Sequence, residues 1–126
     1  MRYEARFEQF EAVQPGGASI SAEFLRSGFL TLGAWPELFF FRVTPVGSGP
    51  LNAALNGAEE VTVGLSGDAL KRFGSGRRSL SREEKIDLAG LMLKKAIEVG
   101  KVLDSNTLFI RDGELATLAG ELGIPG

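Results

Sequence analysis

Apolar and polar positions alternate with different periods along the 126 residues, and each change of period marks an element. Tyr3, Ala5 and Phe7 alternate as in a strand, while Tyr3, Phe7 and Phe10 also fit one helical face. Residues 2–13 therefore read either way, with strand preferred. Gln14-Pro15-Gly16-Gly17 is a turn by composition. Residues 19–27 stay open between two forms. One is a short helix closed by Gly28 as a left-handed cap; the other is a strand with Ile20, Ala22 and Phe24 inward.

Phe29 to Leu32 reads as a strand, Trp35-Pro36-Glu37 as a tight connection, and Leu38 to Thr44 as a second strand ended by Pro45. Phe39, Phe41 and Val43 share one face of that strand, and Leu38 and Phe40 the other. A strand apolar on both faces is usually central and covered on both sides. A loop at 47–50 leads into one or two helical turns at 50–56, capped by Gly57. Val61 to Leu65 reads as a strand and Asp68 to Phe73 as a brief helix.

The strongest element spans Ser81 to Leu103. Ser81 and Glu84 have capping-box spacing, in which hydroxyl and carboxylate each accept a free backbone N–H. On a helical wheel Glu83, Asp87, Lys94, Glu98 and Lys101 cluster on one side, with Ile86, Ala89, Leu93, Ala96 and Ile97 opposite. The apolar arc is wider than a surface helix needs, and its centre is small, at Ala89, Ala96 and Gly100. Close packing inside one chain explains that centre. A seam between two copies formed by Ala89, Leu93, Ala96 and Gly100 is the alternative. A turn at 104–106, a strand at 107–111 and a helix capped by Asp112, with Leu115, Leu118 and Leu122 on one face, complete the chain.

These elements do not alternate strictly as strand and helix, which predicts an α+β fold. The expected form is a two-layer, mostly antiparallel sheet of four to five strands, packed by the long helix 81–103 and shorter helices. Length places residues 1–126 in a single domain.

Composition narrows the chemistry. The chain has no cysteine and no histidine. Thiol catalysis, Ser-His-Asp triads, imidazole bases and the usual zinc sites are excluded. A metal site would be all oxygen and suit Mg²⁺ or Ca²⁺. No cofactor is expected. No stretch approaches the ~18 apolar residues of a membrane span, and the charged N-terminus lacks the apolar core of a signal peptide. A cytoplasmic protein is expected. Scarce asparagine, glutamine and methionine point to a thermophilic or GC-rich source.

The formal net charge is −2, but it is unevenly spread. Four cations fall within the eight residues Lys71, Arg72, Phe73, Gly74, Ser75, Gly76, Arg77 and Arg78. Glycine-flanked backbone N–H groups, four cations and a stacking ring suit a phosphate or a nucleic-acid backbone. The spacing is not that of a Walker A loop. A solvated loop is the plainer reading.

Leu115 to Pro125 resembles the second helix and turn of helix-turn-helix DNA binders over eleven residues. The residues given stop where a recognition helix would begin, so an ordinary packed helix is expected. Asp104, Asp112 and Glu114 bracket the last strand and are assigned to turns and caps. Trp35 and Phe39-Phe40-Phe41 are assigned to core rather than to a ligand pocket.

The function expected from these residues is a small cytoplasmic interaction domain, non-catalytic and homo-oligomeric. The first alternative is a nucleic-acid binder using the loop 71–78. The second is a Mg²⁺-assisted enzyme using Asp and Glu. The sequence names no small-molecule ligand.

Overall fold

The computed structural model describes residues 5–17, 19–29, 37–46, 60–65, 80–100, 107–110 and 112–124. The expected elements at 30–36, 47–59, 66–79 and 101–106 lie outside the described residues.

Five strands form one sheet in the order β1-β2-β3-β4-β5: β1 Gln9–Val13, β2 Ser19–Phe29, β3 Glu37–Val46, β4 Glu60–Leu65 and β5 Thr107–Ile110. The first four pair antiparallel, and β5 lies parallel to β4. Parallel neighbours need a crossover, and α1, Arg82–Glu98, lies between them in the chain. A second helix, α2, Asp112–Leu122, follows β5. The fold is α+β, as the element pattern predicts.

Strand pairing decides the ambiguous segments. Residues 19–27 belong to β2, with Ile20 and Ala22 buried and Glu23 exposed between inward positions. Gly28 pairs with Leu38 inside that strand and caps no helix. Strand β1 begins only at Gln9, so the alternation at Tyr3, Ala5 and Phe7 does not mark strand residues at 5–8. The turn at 14–17 forms, closed by Gly17 N–H to the Gln14 carbonyl at 2.9 Å, with Gly17 at φ 94°. Strand β3 runs through Pro45 to Val46 instead of ending at the proline. Strand β4 pairs with β3 only from Glu37 to Arg42, so the missing N–H breaks no ladder on that side.

Helix α1 starts as its capping box demands. The Ser81 hydroxyl accepts from Glu84 N–H at 3.2 Å, and the Glu84 carboxylate accepts from Ser81 N–H at 2.8 Å. Ser81→Ala removes one acceptor at the helix start and is expected to cost about 1 kcal/mol in urea unfolding. The helix stops at Glu98 rather than Leu103. Gly100 takes φ 67°, a left-handed conformation that ends the hydrogen-bond ladder, and its N–H reaches back to the Ile97 carbonyl. Gly123, at φ 77°, closes α2 in the same way.

The core gathers buried residues from the sheet and from both helices. Phe39, Phe41, Val43, Val61, Val63, Leu65, Leu108 and Ile110 are buried with Ile86, Ala89, Leu93, Ala96 and Ile97 of α1. Helix α1 touches β1, β2, β4, β5 and α2. Phe10 and Phe24 extend this core by edge-on contact with Phe41, at 6.4 and 5.7 Å between ring centres.

Asp87 departs from the helical wheel. It is fully buried rather than on a solvated face. The segment preceding β1 lies against α1 there, and Asp87 Oδ1 accepts Arg6 N–H at 2.8 Å and Phe7 N–H at 2.7 Å.

Candidate functional site

The two residue groups singled out by sequence meet different outcomes. The basic loop Lys71, Arg72, Phe73, Gly74, Ser75, Gly76, Arg77 and Arg78 lies outside the described residues. Ala89, Leu93 and Ala96 are at most 4% exposed within a single chain. Their side chains pack in the core and present no free surface to a second copy. Gly100 stands beside Pro15, whose Cγ would lie 3.0 Å from an added Cβ. Ala89 and Ala96 thus pack inside the chain, while Gly100, beyond the end of α1, sits against Pro15.

Most of the described carboxylates are held by local partners. Glu84 closes the helix cap. Asp87 anchors the backbone of residues 6 and 7, with Arg6 Nε 3.8 Å from its second oxygen. The Arg6 guanidinium also donates to the Leu122 carbonyl at 2.8 Å, tying the C-terminal end of α2 to the same point. Glu37 pairs with Lys85 at 3.0 Å in a largely buried contact. Glu60 pairs with Arg26, Glu98 with Lys94 and Glu121 with Lys95. Among the described residues no three metal-ligating side chains gather. Asp104 lies outside the described residues, and Glu114 lies on the exposed side of α2.

An open groove of about 380 Å³ runs between α1 and α2. Met92, Leu118 and Thr117 line it, and the Lys95–Glu121 pair, 2.9 Å apart, stands at its rim. Its lining is largely apolar, with Lys95, Glu114 and Glu121 as its charged members.

The opposite face of the sheet carries a different surface. Successive side chains on a strand point to opposite faces. With Phe39, Phe41 and Val43 inward, Leu38, Phe40, Arg42, Thr44 and Val46 point outward. The register places Val13 of β1 and Thr62, Gly64, Thr107 and Phe109 of the last two strands on the same outer face. Three of the four large apolar side chains exposed among the described residues lie there: Val13, Val46 and Phe109, the last 49% exposed. The Phe109 ring lies over Gly64, where an added Cβ would come within 2.6 Å of it and 3.4 Å of Leu38. Glycine at 64 lets the two side chains close over β4. Arg26 covers Phe40, with its guanidinium carbon 4.4 Å from the ring centre, and also holds Glu60 at 3.0 Å.

Sequence reading missed both Asp87 and Phe109. Alternation in Thr107–Ile110 could have found Phe109, because Leu108 and Ile110 point inward and leave it outward. No local signal marks Asp87.

Among the described residues no helix is long and apolar enough to cross a membrane. The chain matches no family model, no curated protein and no solved structure in the comparisons made.

Proposed function

We propose that this chain is a small, non-catalytic, cytoplasmic interaction domain that works as a homo-oligomer. One observation carries the reading: Phe109, on β5 at the end of the sheet, stands half exposed on the outer face. Leu38 lies beside it on the same face, so the two make one apolar area there. In this reading the domain has two layers, with the helices over the inner face and the outer face left for a partner. The local partners of Asp87, Glu84, Glu37, Glu60, Glu98 and Glu121 favour binding over carboxylate chemistry.

Sedimentation velocity across the micromolar range tests the reading. The expected species has a mass that is a multiple of 13.5 kDa. A 13.5-kDa species at every concentration would end the homo-oligomeric reading.

A second reading, binding to a nucleic-acid backbone, draws on the four cations between Lys71 and Arg78. Fluorescence anisotropy with single-stranded and duplex probes tests it, beside a variant with Lys71, Arg72, Arg77 and Arg78 all changed to alanine. Affinity that falls steeply with salt and vanishes in the variant is expected. Equal binding by both proteins would remove the loop from that role.

A further inference from the structure

We infer that the oligomer is made by the outer face of the sheet packing against the same face of a second copy, with Phe109 as a main contact. This rests on the homo-oligomeric reading and names its surface and its partner.

The first argument is balanced charge. Across the middle of the outer face, Glu23, Arg42 and Glu60 lie side by side on β2, β3 and β4. Arg26 joins them, held to Glu60. Glu11 lies toward the β1 edge of the same face. A face of one sign would repel its own copy. A face carrying Arg beside Glu has little net charge to set against its own copy. A strongly acidic or basic partner would leave half of these groups opposed by like charge.

The second argument is the distribution of apolar side chains. Val13 and Val46 both flank Ser19 at one corner, while Phe109 and Leu38 lie together at the β5 side. The charged row runs between the two apolar areas. A two-fold axis through that row brings the apolar corner of one copy toward the Phe109 area of the other.

The third argument is size. Five strands about 4.8 Å apart, averaging about seven residues in length, make a face of roughly 20 by 23 Å. That is roughly 460 Å² in projection, and a corrugated face exposes more than its projection. A standard interface takes about 800 Å² of accessible surface from each partner. Sheets pack face to face about 10 Å apart, which suits side chains the size of Phe and Val at the contact.

The test uses the full chain. Phe109→Lys and Val46→Lys are compared with wild type by sedimentation velocity, with thermal melting of each protein alongside. The absence of native cysteine allows a clean spin label on Thr44→Cys, on the outer face, and on Ala116→Cys, on the exposed side of α2. The expected result is an oligomer in wild type and a dissociation constant raised roughly 30-fold or more by Phe109→Lys. Melting should be nearly unchanged, and dipolar broadening should appear for the label at 44 and not at 116. An oligomer unaffected by either lysine and showing no broadening at 44 would overturn the surface while leaving the homo-oligomeric reading standing. A monomeric wild type would overturn both. If Phe109→Lys does not fold, Val46→Lys and the two labels decide the outcome.

Discussion

Asp87→Ala is expected to lower the unfolding free energy by about 3 kcal/mol, the cost of leaving two part-buried main-chain N–H groups without their acceptor. The carboxylate is fully buried and accepts two main-chain N–H groups through one oxygen. Alanine would leave the Arg6 and Phe7 N–H groups without that acceptor and open a small void beside Phe7. It would also leave the Arg6 guanidinium without its carboxylate while it still holds the Leu122 carbonyl. For a chain of 126 residues the loss corresponds to a fall of roughly 10 °C in melting temperature. Asp87→Asn keeps an oxygen for the two N–H groups and should recover more than half of the loss. Urea unfolding of the two variants checks this. A loss below about 1 kcal/mol for alanine would mean that residues 5–8 are not anchored at Asp87.

Gly90→Ala is expected to destabilise by about 2 kcal/mol, although alanine is the better helix former by about 1 kcal/mol. The new Cβ would stand 2.5 Å from Phe7 Cβ and 2.8 Å from the Phe7 carbonyl oxygen. Neither atom can swing aside as the end of a flexible side chain would, so the segment itself must move. Phe7 then shifts from Phe10, whose ring lies edge-on to it at 5.6 Å. Gly120→Ala is the matched control, because it sits in α2 with nothing within 4 Å of the added carbon. That variant should gain up to about 1 kcal/mol. Asp87→Ala and Gly90→Ala release the same segment, so their combined loss should fall short of the sum. Strict additivity in urea unfolding would show that the two residues act on different parts of the fold.

The legible parts of the fold are those written in neighbouring residues. Alternation located Leu38–Thr44 and Val61–Leu65, and the Ser81/Glu84 spacing placed the start of α1 at its true position. The end of α1 was misplaced because Lys101 and Leu103 continue the helical period past Gly100. Residues 19–27 fitted both periods, and pairing with β1 and β3 chose the strand. The proposed surface was half legible. Phe109 can be read from the alternation in Thr107–Ile110, but Val46 lies beyond the proline expected to end its strand, and its meeting with Val13 around Ser19 depends on the register of three strands.

The sequence by itself determined the α+β class, the helix cap and the inward set of each clear strand. Periodicity, capping and turn chemistry act between residues a few positions apart, so they hold before distant segments meet. The tertiary structure decided the parallel placement of β5 beside β4, the burial of Asp87 and the gathering of exposed apolar side chains on one face. Each of these depends on which segments come together. Asp87 lies 80 residues beyond Phe7, and nothing near it in sequence supplies the two N–H groups that make its burial stable.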